Sequence, residues 1–172
     1  DSFPALELTD GSGARFSLAR ILGRSPLIVS FFCGHWSPYC NLELRAFNAL
    51  LPKIQALGAR FIPVVGQDAE LNFSTQRCNR LSYTLFSDPE LAAARACGLV
   101  MTLPEVMTDA MEQLGIDLPG YVPGRPYEMS MPASFLIDSK GKIIYSFVDE
   151  DFRHRAEPEA LLSALQLLQP GN

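Results

Sequence analysis

The junction between residues 27 and 57 constrains this chain most. Leu27-Ile28-Val29-Ser30-Phe31-Phe32 has the branched and aromatic content and the length of a buried strand. A long amphipathic helix follows, because Leu42, Ala46, Phe47, Leu50, Leu51, Ile54 and Leu57 fall largely on one face and Gly58 supplies a stop. Pro52 is expected to kink or divide that helix. Between strand and helix lies Cys33-Gly34-His35-Trp36-Ser37-Pro38-Tyr39-Cys40. Pro38 suits the first helical turn, where a missing N–H costs nothing, so Ser37 falls at or next to the N-cap and Cys40 one turn inside. A side chain at position 37 therefore points to unpaired amides and the positive end of the helix dipole, at an open helix mouth that favours anions.

The rest of the chain supplies a frame for that junction. At 172 residues, 48% hydrophobic and 19% charged, it is long enough for one compact domain over 1–172 with a substantial core. A net charge of −5 and the lack of a long basic run argue against nucleic acid as a partner, and no apolar stretch is long enough to span a membrane. Four cysteines, at 33, 40, 78 and 97, are too sparse and uneven for a disulfide-stapled module; reduced thiols and a cytoplasmic location are expected. Residues 6–18 read as a β-hairpin around a Gly-rich turn, and Arg60–Gly66 as a second core strand that Pro63 weakens. A helix from Asp68 to about Arg80, a short strand over Tyr83–Asp88 and a helix opened by Pro89 and closed by Gly98 follow. Residues 99–130, rich in proline and with a short helix near Pro104–Leu114, read as an insertion: a lid or partner surface, or an ordinary surface excursion. A hairpin over 133–148 and a last helix from Glu157-Pro158 close the chain.

Strand, helix, strand, helix, strand, helix, then an antiparallel hairpin and a helix is the order of a thioredoxin-like α/β fold, a central mixed sheet flanked by helices. In such folds Pro132, at the head of the late strand, is expected to form a cis peptide against the helix start, leaving backbone free to pair with an extended peptide; the plain alternative is a proline that begins a strand. His35 could lower a thiol pKa at position 37 or be incidental, and Trp36 is expected to shield the site and pack. Cys33-x-His35-x-x-x-x-Cys40 fits no zinc spacing, so neither metal nor cofactor is expected. Cys78 and Cys97 read as small buried apolar residues, and Arg153-His154-Arg155 as a solvated turn.

The block Gly34-His35-Trp36-Ser37-Pro38-Tyr39-Cys40-Asn41-Leu42-Glu43-Leu44-Arg45 resembles the Gly-x-Trp-Cys-Pro-Tyr-Cys-x-x-Glu-Leu block of peroxiredoxin-like proteins in the alkyl hydroperoxide reductase and thiol-specific antioxidant superfamily. The likeness extends to 132–138 and 147–158. It implies thiol-dependent reduction of hydroperoxides or disulfides, recycling by a thioredoxin-type reductant, and often a homodimer. It makes Ser37 the attacking position, Cys40 the resolving thiol, and His35, Trp36 and Pro132 the substrate-binding surroundings. Ser37 stands where the family has sulfur, through an introduced Cys-to-Ser change or a natural loss, and an alcohol cannot run the reversible sulfur oxidation of a redox cycle. A peroxidase inactive at position 37, a thiol-disulfide oxidoreductase and a redox-inactive binding module are the three functions this leaves. The family's peroxide-binding Thr and Arg positions are here Gly34 and Pro132, so a cation would have to come from Arg125, Arg153 or Arg155.

Overall fold

Leu27–Phe32 is buried along its whole length, as a strand between two apolar layers must be. The computed structural model describes residues 1–168. Its strands are β1 (Glu7–Thr9), β2 (Arg15–Ser17), β3 (Leu27–Phe32), β4 (Arg60–Val65), β5 (Phe86–Ser87), β6 (Val100–Leu103), β7 (Tyr127–Ser130), β8 (Ala133–Ile137) and β9 (Ile143–Val148). Its helices are α1 (Pro38–Ala56), α2 (Ala69–Cys78), α3 (Ala92–Ala96), α4 (Glu105–Gln113) and α5 (Pro158–Leu167). Seven strands form one sheet in the order β2-β1-β5-β4-β3-β8-β9, with β3, β4 and β5 parallel and the other pairings antiparallel. This is the expected mixed sheet, with the N-terminal hairpin as its extension.

Alternation along β3 divides the core. Ile28 and Phe32 pack with Phe47 and Ile54 of α1 and with Leu161 and Leu165 of α5. Leu27, Val29 and Phe31 pack on the other side with Ala93 and Ala94 of α3 and with Leu6 and Leu8 of the N-terminal hairpin. Ser30, wholly buried, is satisfied by a 2.7 Å hydrogen bond to the Ser134 hydroxyl on β8.

The proline in β4 sits where its lost donor does least harm. Arg60 N–H donates to Pro26 O and Gly66 N–H to Phe32 O, so alternation turns the position-63 nitrogen away from β3. On that side β5 pairs only with Val64 and Val65, and no ladder bond is missing at Pro63. Pro52 does not divide α1 as expected: the helix runs unbroken from Pro38 to Ala56, anchored by the buried Leu50, Leu51 and Ile54 on either side of the proline.

Residues 99–130 depart most from expectation. Beyond the expected short helix, α4, they contain β6 and β7, which pair antiparallel as a separate two-stranded ribbon. Leu103, Met111, Leu118, Tyr127 and Met129 from this segment enter the α1 core, so it is a packed layer and not a solvent excursion. Phe47 lies at the centre of that core, wholly buried and stacked on Phe61 at 4.3 Å between ring centroids. Phe47→Ala should therefore lower the unfolding free energy by about 3–5 kcal/mol in urea titrations; a loss under about 1 kcal/mol would show that this ring is not a core element.

Candidate active site

The head of α1 is built as its residues dictate. Ser37 is the N-cap, with Pro38 in the first turn. The Cys40 N–H donates to Ser37 Oγ at 3.4 Å. The Asn41 amide donates to the carbonyls of His35 and Ser37 at 2.8 and 3.1 Å, holding the connecting turn closed. Cys33 is the first residue beyond β3 and Cys40 lies in the first turn of α1, and the turn brings their sulfurs to 3.5 Å. Each residue is only 1% exposed.

Into this pair reaches Arg155, from the loop between β9 and α5. Its Nη2 donates to Cys33 Sγ at 3.4 Å and to Cys40 Sγ at 3.2 Å. Its Nη1 pairs with Glu43 Oε2 at 3.3 Å, and its Nε donates to Phe152 O at 2.9 Å. Glu43 lies on α1 one turn beyond Cys40. The Arg155 and Glu43 side chains are 11% and 6% exposed, so the charges act on one another with little solvent between them.

Three acidic groups thus compete for one cation. Burial alone would raise the Cys40 thiol, but the Cys33 thiol, the Arg155 charge, the Gly34 amide and the Ser37 hydroxyl together bring it well below the usual thiol range. Cys33 moves well up, because its proton is held in the hydrogen bond to Cys40 and because it is buried. Burial pushes Glu43 up to about 8; Arg155 opposes this and the Cys40 charge adds to it. The surroundings therefore favour the charged form of Cys40 beside the Arg155 guanidinium and the protonated forms of Cys33 and Glu43.

The residues singled out from the sequence are placed unevenly. Ser37 caps the helix next to Cys40, as expected, but it is wholly buried, not open at a helix mouth. Trp36 packs edge-on to Phe152 at 5.9 Å, and Tyr39 meets the same ring at 6.3 Å. A Cβ at position 34 would lie 2.8 Å from Trp36 Nε1, so the indole occupies the space in which the family's threonine would stand. The His35 backbone N–H donates to Gln67 Oε1 at 2.9 Å and its ring nitrogen lies 3.3 Å from the same oxygen, while the residue lines a groove of about 570 Å³ between α1 and α2.

Pro132 heads β8, but its peptide bond is trans, and no cis bond occurs among the described residues. Met131 N–H is held by Leu99 O at 2.7 Å and Pro132 O accepts from Asp149 N–H at 3.3 Å, so the flanking backbone is already paired. It offers no free edge to an extended peptide.

Of the cluster, Arg155 is one of three candidate cations in the sequence, although its turn reads as solvated, and Cys33 is not expected to take part. The turn 153–155 is solvated at Arg153, which pairs with Asp151 at 2.6 Å, and at His154, but Arg155 is folded inward. Arg125 is exposed, so of the three arginines Arg155 is the one whose guanidinium touches the sulfurs. Cys33 had been weighed only as a metal ligand; its signal was its place at the end of the most apolar strand. Cys78 is exposed and Cys97 half-buried, so neither is the buried apolar residue expected.

The cluster makes opposed contributions to stability. The folded chain keeps a proton on Glu43 up to about 8, whereas the unfolded chain releases it near 4.5, so this group lowers stability as pH rises between those values. Cys40 does the reverse: its folded pKa is depressed below the ordinary 9.0, so it adds stability at high pH that is lost as pH falls through the folded value. Glu43→Gln should leave a stability that rises from pH 6 to 8 more steeply than in the parent, and Cys40→Ser one that falls, as read from urea midpoints (roughly pH 6–8 spans both effects). Identical pH profiles for all three chains would contradict the assigned charges.

A chloroplastic peroxiredoxin Q from Populus jackii is 26% identical over 164 residues, covering 94% of this chain and 66% of that protein. A second, from Suaeda salsa, is 32% identical over 85 residues, 49% of this chain and 39% of that protein. The chain thus spans less than two thirds of the length of these relatives. Among solved structures, the peroxidoxin BcpB of Mycobacterium tuberculosis superposes with a TM-score of 0.75 at 18% identity over 98% of this chain and 96% of that one. Peroxiredoxin Q of Xanthomonas campestris gives 0.72 at 20% over 94% and 90%. These two show the shared fold. The AhpC/TSA family profile matches residues 1–146, a span that includes Cys33, Ser37, Cys40 and Glu43 and ends before Arg155, and on that match the chain belongs to the AhpC/TSA family.

Proposed function

We propose that this chain is a thiol-dependent peroxidase that reduces hydroperoxides at the head of α1 and is recycled by a thioredoxin-type dithiol. The observation that carries the reading is the buried pair of sulfurs, 3.5 Å apart at the head of α1, that share one guanidinium also paired with Glu43. A thiolate so placed is a nucleophile at neutral pH, and the guanidinium beside it is a ready partner for the oxygen anion that leaves a broken O–O bond. Membership of the AhpC/TSA family supports the same chemistry.

The geometry also favours a small oxidant over a protein disulfide. Both thiols are 1% exposed, and the backbone at Pro132 that would pair with an extended peptide is already hydrogen-bonded. A mixed disulfide with a protein would require the site to open, whereas a hydroperoxide needs only a channel.

The family block places its attacking sulfur at 37, where this chain has an alcohol that is engaged with the Cys40 amide. We propose that turnover by attack from position 37 is closed to the chain with Ser37 and that a thiol there opens it. Ser37→Cys should raise thiol-donor-dependent hydroperoxide consumption by at least ~100-fold over the Ser37 chain, with a sulfenic acid at 37 or a 37–40 disulfide seen by mass spectrometry. Consumption no faster than the parent, from a variant with unchanged circular dichroism, would overturn position 37 as the seat of attack.

A further inference from the structure

We propose that Cys40 and Cys33 form a redox couple of their own in the Ser37 chain, Cys40 attacking a small hydroperoxide and Cys33 closing the disulfide, with Arg155 holding the reacting oxygen. The inference rests on the hydroperoxide reading above but not on position 37. In the family block Cys40 only resolves and position 33 has no role. Here the contacts are arranged around Cys40 instead: the Gly34 amide, the Ser37 hydroxyl, the Cys33 thiol and Arg155 all stabilise its charged form. Ser37 in this arrangement accepts from the Cys40 amide as the helix cap and is not the attacking atom.

Access comes from the Arg155 side. A pocket of about 260 Å³ is lined by Tyr39, Leu42, Glu43, Ala46, Arg155 and Ala156, and its Arg155 wall is the same guanidinium whose Nη2 touches both sulfurs. Neither sulfur lines that pocket, so a hydroperoxide entering there meets the guanidinium, and Arg155 must swing aside before the oxygen reaches Cys40, 3.2 Å from its Nη2. Glu43, which shares that wall and pairs with Arg155 at 3.3 Å, is the acid placed to supply a proton there, its pKa raised by burial.

The chemistry balances within these groups. The Cys40 thiolate attacks the distal oxygen; an S–O bond forms, the O–O bond breaks, sulfur is oxidised to a sulfenic acid, and the peroxide is reduced to an alkoxide. The alkoxide takes the Glu43 proton and leaves as an alcohol. Cys33 then attacks the Cys40 sulfur: an S–S bond forms, the S–O bond breaks, and the hydroxyl leaves as water with the Cys33 proton. The sulfurs, now 3.5 Å apart, must close to about 2 Å, a movement within the reach of side-chain rotation at the end of a strand and the first turn of a helix. Once the site opens to admit a mixed disulfide, a thioredoxin-type dithiol reduces the Cys33–Cys40 bond by two exchange steps, returning a thiol on Cys33, a thiolate on Cys40 and a proton to Glu43.

The test uses the reduced Ser37 chain with one equivalent of hydrogen peroxide, followed by alkylation and peptide mapping. A Cys33–Cys40 disulfide with a mass loss of about 2 Da is expected, Cys78 and Cys97 remaining alkylatable. Cys33→Ser should stop at a sulfenic acid on Cys40 that a 1,3-diketone traps. Arg155→Lys, which keeps the charge but not the fork, should slow oxidation by about 10-fold, and Arg155→Met by about 100-fold. Oxidation that begins at Cys78, a sulfenic acid on Cys33, or no reaction in a chain with native circular dichroism would overturn the couple. Because no thiol at 37 is present, such a failure leaves the Ser37→Cys result untouched, and failure of that variant leaves this one standing.

Discussion

One buried guanidinium organises the site. Arg155 has no full counter-charge of its own: it is shared by two sulfurs and a carboxyl, and one cation can neutralise only one anion without leaving a second uncompensated in a poorly solvated place. The charged form is favoured at Cys40, which also has the Cys33 thiol, the Gly34 amide and the Ser37 hydroxyl about it, whereas burial raises Glu43 and only Arg155 opposes that. Cutting such a group away from its partners costs about 3–5 kcal/mol in comparable buried pairs, so site and fold are coupled through this side chain.

The elements that hold Arg155 in place explain the architecture around it. β3 ends at Cys33 and α1 begins at Pro38, so both thiols are carried by the most buried strand and the longest helix. Arg155 arrives from the opposite end of the chain on a loop pinned between β9 and α5; Ala156, Leu161 and Leu165 fasten that stretch to the core shared with α1. The ring of Phe152 joins it to Trp36 and Tyr39. Trp36 lying against Gly34 fills the space that a side chain at position 34 would need.

What could be read from the sequence was whatever local pattern determines. The apolar run 27–32, the proline in the first turn of α1 and the periodicity of 42–57 placed strand, cap and helix correctly, and with them Ser37 and Cys40. The sheet followed from the order of elements. The failures share a cause, which is tertiary context. The ribbon of β6 and β7 consists of short segments 24 residues or more apart whose pairing has no local signature. Pro52 is tolerated because core packing on both sides of it outweighs one lost bond. Arg155 looks like part of a charged turn until α5 and α1 pack and fold it inward, and Cys33 acquires a partner only when the helix start turns back upon the strand. The cis Pro132 expected from the fold type is a trans bond here, the state that an X–Pro peptide takes unless its surroundings demand otherwise.

A thiolate at Cys40 at neutral pH is the condition on which the chemistry of the Ser37 chain rests. The direct measurement is titration of the Cys40 thiolate by its ultraviolet absorbance in a chain with Cys78 and Cys97 replaced by serine, with and without Arg155→Lys. A Cys40 pKa at least one unit below the ordinary free thiol value of about 8.5, rising in the lysine variant, is the predicted result. A thiol that titrates at or above that value, unchanged by the loss of the guanidinium fork, would contradict it.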